Sequence, residues 1–143
     1  MSIRNHPPLA RTTPHHQVLY LSQLVDSYRY DVFAAICFVA RPRNEAASLR
    51  GVLLFDGHRF CQLIEGPAPA AQALMASISR DPRHTALTRL ADRPLVLPSQ
   101  LTRWLPGFCA PDALDVFEGP HGLRGEAAIA AFQQLASHAD LSP

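Results

Sequence analysis

Apolar and polar residues alternate in the first half of QVLYLSQ (17–23), whose β-branched and aromatic content suits a strand, β1. Past Asp26 and Ser27, two N-cap candidates, the spacing of Phe33, Ile36, Cys37 and Ala40 traces one face of a helix that Pro42 ends. Val32, Phe38 and Val39 make its other side apolar as well, which calls for cover by another element or another subunit. Two β-rich runs, GVLLF and RFCQLIE, flank Asp56-Gly57, a strong hairpin signal, and give β2 and β3. Pro67 and Pro69 open a second helix with Ala71, Leu74, Met75 and Ile78 on its buried stripe, and DPRH stops it. TALTRLAD and PLVL then read as two short strands, with Pro94 and Pro98 confining them to an edge, and Trp104 follows the last strand. A short helix near PDALDVF and a longer one over 124–138, with Ala128, Phe132 and Leu135 on one face, complete the chain and cover the bare face of the sheet.

The order β-α-β-β-α-β, with a further strand, predicts an α+β fold of the ferredoxin-like, split βαβ kind. Residues 1–15, rich in proline and histidine and poor in large apolar groups, read as a flexible arm, and His15 and His16 as a solvated pair. The domain proper then spans 16–108, with 109–143 as a helical extension.

Composition narrows the function. With 143 residues, 48% hydrophobic and 17% charged, there is room for one sizeable core. The net charge of +1 is scattered, so neither nucleic acid nor an anionic membrane is an expected partner. The chain has no lysine, which excludes Schiff-base chemistry. Three cysteines, Cys37, Cys61 and Cys109, are far apart and in apolar surroundings, arguing against a disulfide framework or zinc site and for a reducing, cytoplasmic compartment. No run approaches the ~20 apolar residues of a membrane span.

Four residues sit where such a fold has no need of them: Tyr20 in β1, Asn44 just after helix 1, Gln62 inside β3 and Trp104. Gln62 says most. A buried amide costs about 1–3 kcal/mol unless its donors and acceptors are met, so something polar must lie beside it. Tyr20 can satisfy one end and a planar heteroaromatic ligand the other.

Over Gln17 to Phe108 the chain resembles the BLUF family of flavin-binding blue-light sensors. VLYLSQL, the Asn44 that precedes GVLL, RFCQLIEGP, SRDPRH and LTRWLPGF carry the resemblance, with 24 residues from Tyr20 to Asn44, 18 from there to Gln62 and 42 more to Trp104. It implies a flavin, FAD in first place with FMN or riboflavin as alternatives, lying between two helices on one sheet face while the C-terminal helices cover the other. By the same resemblance Tyr20, Gln62 and Trp104 form the photoactive set. Ile36 and Ala40 contact the ring, Asn44 bonds its pyrimidine side, and Arg83 and His84 lie near the dinucleotide tail. The implied output is a changed interaction with a separate effector protein rather than catalysis, with a homo-oligomer left open. Three positions depart from the family pattern. Pro106 replaces a methionine, which predicts an early end to the final strand. Arg50 replaces a small hydroxyl residue, and Pro42 lies close to Asn44. These departures keep open a flavin-free interaction module as the alternative. An acylphosphatase-type hydrolase is disfavoured because SQLVDSYRYD, between β1 and helix 1, contains no glycine for a phosphate cradle.

Overall fold

The computed structural model describes residues 13–25 and 31–142. Its elements are β1 (His15–Leu24), α1 (Val32–Ala46), β2 (Arg50–Phe55), β3 (Arg59–Pro67), α2 (Ala68–Arg80), β4 (His84–Pro94), β5 (Trp104–Phe108), a 3-10 turn (Ala113–Phe117), α3 (Gly125–Ser137) and β6 (Asp140–Leu141). The strands form one sheet in the order β4-β1-β3-β2-β5-β6, antiparallel except for the β2–β5 pair.

Period-two alternation divides the sheet residues between two layers. On one face Val18, Tyr20 and Ile64 pack under α2 with Ala71, Leu74 and Met75, while Leu53, Phe55, Phe60 and Trp104 pack under α1 with Phe33 and Ala40. On the other, Leu19, Leu21, Val52, Leu54, Cys61 and Leu63 meet Leu114 and Phe117 of the 3-10 turn and Ala128, Ile129 and Phe132 of α3. This is the expected α+β arrangement, with two helices on one face and the C-terminal helical segment on the other.

Asp56 makes the β2–β3 hairpin: its Oδ1 accepts the amide hydrogens of His58 and Arg59, and Gly57 takes φ +100°. Asp26 and Ser27, the proposed caps of helix 1, lie outside the described residues; the observed N-cap is Asp31. Pro42 does not end this helix, which runs through it to Ala46 and so takes Asn44 into its last turn. The bond Pro42 forfeits is the one to the carbonyl of Phe38, a residue on the solvent side of α1, where water can serve that oxygen.

PLVL is not a strand. Leu95 still donates to the His15 carbonyl, but β1 offers no further partner, and Val96 and Leu97 stand exposed. The chain must also cross from β4 to β5, four strand spacings or about 19 Å apart, so residues 95–103 form a crossing segment. Nor do His15 and His16 make a solvated pair: both lie in β1, and the His16 imidazole bonds Asp92.

Trp104 opens the final strand instead of following it, and Pro106 does not shorten that strand, which pairs with β2 from Gly51↔Trp104 through Phe55↔Phe108. Ser142 N donates to Pro106 O, so by alternation the hydrogen-bonding side of residue 106 faces β6 and its lost N–H is no loss to β2. The Ser142 carbonyl, which a residue other than proline at 106 would serve, takes an Arg41 hydrogen bond from α1 at 3.2 Å. β6 also depends on Gly107, where a Cβ would stand 2.5 Å from Asp140 O. Gly107→Ala is therefore expected to detach β6, with faster amide exchange at Leu141 and Ser142 and a stability loss of about 1–3 kcal/mol in denaturant melts. Unchanged exchange there would show that the edge accommodates a methyl group.

Candidate functional site

β1 and β3 place Tyr20 directly opposite Gln62, and both side chains point to the helical face. Trp104 pairs with Gly51, which has no side chain to obstruct it, and its indole reaches across to β3. The three form one chain of hydrogen bonds: Trp104 Nε1 donates to Gln62 Oε1 at 2.8 Å, and Gln62 Nε2 donates to Tyr20 Oη at 2.7 Å. All three residues are at least 96% buried. An indole N–H can only donate, so Trp104 dictates which end of the amide faces it. Tyr20 accepts from the amide and keeps its own hydroxyl hydrogen to give. Burial pushes its phenol well above the usual tyrosine range despite the Gln62 bond, so it stays neutral at physiological pH.

Above this chain a cleft of about 70 Å³ opens between α1 and α2. Ile36, Val39 and Ala40 of α1, Leu53 and Phe60 of the sheet, and Ile78 of α2 give it apolar walls; Tyr20, Gln62 and Trp104 lie on its floor. The cleft thus gathers six of the seven cofactor-binding candidates and all three photoactive ones. Asn44, the seventh, is not among the lining residues. Its carboxamide is buried in the last turn of α1, and neither Oδ1 nor Nδ2 has a partner. Such a buried amide signals a missing ligand or water.

Arg83 lines the cleft with its guanidinium forked onto Asp81, the contacts running from 2.6 to 3.1 Å. That fork, Arg83's hydrogen bond above all, holds the Asp81 carboxyl below its usual range. His84 lines it too, with both ring nitrogens engaged, by Ser22 Oγ and the Ile78 carbonyl. Arg43, Ser77 and Asp81 also line the cleft and escaped sequence reasoning. For Arg43 a signal existed: it follows Ile36 by seven positions and Ala40 by three, on the same helical stripe.

A second groove, of about 850 Å³, lies on the opposite face beneath residues 95–101 and α3. Its buried polar groups satisfy one another: Gln17 Nε2 and Ser99 Oγ donate to Glu65, and Arg93 Nε donates to Gln17. Among the described residues no cluster of metal-ligating side chains occurs, no cysteine is in a disulfide, and no helix is long and apolar enough to cross a membrane. Burial raises the thiols of Cys37 and Cys109 to about 11, so neither is a ready thiolate.

A buried phenol, amide and indole in series beneath a cleft between two helices define the class: an α+β domain with a hydrogen-bonded polar chain at the floor of a cleft. Comparison with known proteins gives the family. Residues 16–104 match the model of BLUF, "Sensors of blue-light using FAD", and the chain belongs to that family. Among its relatives is the blue light- and temperature-regulated antirepressor BluF of Escherichia coli K12, 32% identical over 73 residues, which are 51% of this chain and 18% of that protein. The chain thus spans under a fifth of that relative's length. In fold it is similar to BlsA in its photo-activated state, with a TM-score of 0.71 and 20% identity over 85% of this chain and 94% of the other. The dark-state structure of BlrB, a BLUF protein, gives 0.67 and 24% over 87% and 98%.

Proposed function

We propose that this chain is a cytoplasmic blue-light photoreceptor that holds FAD in the α1–α2 cleft and signals through a separate partner protein, not through catalysis. The observation that carries this reading is the Trp104–Gln62–Tyr20 hydrogen-bond chain on the cleft floor. The residues present suit a flavin. Ile36 and Ala40 give the cleft an apolar wall from α1, Asn44 brings an unpaired acceptor and an unpaired donor, and Arg43, Arg83 and His84 line the same cleft. The guanidinium groups suit phosphates, which favours FAD or FMN over riboflavin.

The cofactor, when bound, absorbs blue light and becomes a strong oxidant. The residues themselves have two states. In the one observed, Gln62 Oε1 faces Trp104 and Nε2 faces Tyr20. In the rotated state Oε1 faces Tyr20 Oη and accepts its proton in a hydrogen bond, while Nε2 opposes the indole N–H, donor against donor. Leaving the buried indole without an acceptor costs about 1–3 kcal/mol, enough to favour a shift of Trp104 and of β5, which it opens. Strand β6 and the α3 face then carry the change to the surface.

Purified protein, or protein reconstituted with FAD, is expected to be yellow and to show a reversible red shift of its absorbance under blue light. Yellow protein without a shift would leave a silent flavin protein. Failure to take up flavin at all would favour an interaction module on the same fold.

A further inference from the structure

On the sheet face beneath α1 and α2, β1 carries a buried polar residue, Ser22, outside the cleft lining. Ser22 is 1% exposed and lies two residues beyond Tyr20 in β1, on the same face, yet is not part of the cleft lining. Its Oγ stands 2.7 Å from His84 Nδ1, and His84 Nε2 stands 2.6 Å from the Ile78 carbonyl in the last turns of α2. A carbonyl only accepts, so Nε2 carries the hydrogen. In the neutral ring Nδ1 is then the acceptor and Ser22 the donor. The imidazole is therefore pinned at both ends, between β1 and α2.

Pinned in this way, His84 meets two aromatic rings edge-on. Its centroid is 6.3 Å from that of Tyr20 with the planes 69° apart, and 6.1 Å from that of Phe60 at 86°. Both separations lie in the range of attractive edge-to-face pairs. Tyr20 is thus fixed twice, its hydroxyl by Gln62 and its ring by His84. The second restraint exists only while the imidazole keeps its orientation.

We propose that Ser22 is a positioning residue for the light reaction: through His84 it holds the Tyr20 ring so that Oη stays aligned with the Gln62 amide. The proposal rests on the photoreceptor reading for its functional consequence, but its structural half stands without flavin. Ser22→Ala leaves Nδ1 without its donor and frees the ring to turn, whereas Ser22→Thr retains a hydroxyl. Ser22→Cys, close to serine in volume, supplies only a weak donor.

The test compares wild type, the three Ser22 variants and Tyr20→Phe, each as apo protein and loaded with FAD. In the apo proteins, tyrosine ring signals from carbon-13-labelled samples report Tyr20 directly. Ser22→Ala is expected to shift and broaden the Tyr20 signal, with Ser22→Thr restoring it. In the loaded proteins Ser22→Ala is expected to lower the quantum yield of the red shift at least fivefold while FAD affinity stays within about twofold, with Ser22→Cys intermediate. A Tyr20 signal and quantum yield unchanged in Ser22→Ala, while Tyr20→Phe abolishes the shift, would overturn the proposal and leave the photoreceptor reading intact. A wild type that takes up no FAD would overturn that reading, and the apo spectra would still decide whether Ser22 orients Tyr20. Should Ser22→Ala not fold, Ser22→Cys decides by the same two readouts.

Discussion

Tyr20→Phe is expected to give a yellow protein whose spectrum no longer responds to blue light. The substitution removes one oxygen and keeps the ring, so the contact with His84 and the packing beneath α2 survive. What is lost is the acceptor for Gln62 Nε2 and the phenol hydrogen-bonded into the amide chain. In the proposed site the cleft walls, Asn44 and the arginines hold the flavin, so the colour is expected to persist. Without Tyr20 the rotated amide has no phenol proton to accept, and nothing opposes its return to the Trp104-facing state. Fewer than a tenth of wild-type difference amplitude is the expected result. A cost of about 1–3 kcal/mol in the melt is also expected, because a buried amide hydrogen loses its acceptor. A wild-type red shift in this variant would remove Tyr20 from the mechanism.

Asn44→Leu is expected to move stability and cofactor affinity in opposite directions. In the protein alone both polar atoms of this carboxamide are buried without partners. Replacing it by an apolar side chain of similar volume removes that desolvation penalty, so the apo protein should gain about 1–3 kcal/mol. If Asn44 serves the flavin, the same change removes two hydrogen bonds worth about 0.5–1.5 kcal/mol each from the complex, and the dissociation constant should rise about fivefold or more. Denaturant melts of the apo protein and a flavin titration check the two signs separately. A less stable apo protein with unchanged affinity would mean that ordered water, not the cofactor, satisfies Asn44.

Both experiments concern residues that sequence reasoning had already grouped with Gln62, and the reason for choosing Gln62 is local. An amide inside an apolar strand contradicts its surroundings, and that contradiction is visible without a structure. The same holds for Asp56-Gly57, whose turn chemistry lies within four residues, and for the stripe Ala71, Leu74, Met75 and Ile78 of α2. Arg43 escaped because an arginine at a helix end has an ordinary explanation, and Ser22 because a serine in a half-polar strand breaks no pattern.

What the sequence determined by itself was β1, the β2–β3 hairpin, the helical segments and the strand alternation that puts Tyr20 and Gln62 on the faces they occupy, since periodicity and turn chemistry act over a few residues; β6 it did not show. The tertiary structure alone decided three further things. It carried α1 through Pro42 and β5 through Pro106, because a proline stops an element only if its lost hydrogen bond is needed there, and that depends on which side of the helix or strand faces water or β6. It left PLVL without a strand partner beyond Leu95, because β1 ends where that segment begins. And it oriented the Gln62 amide, because the N–H that dictates the orientation is brought by a strand 42 residues away.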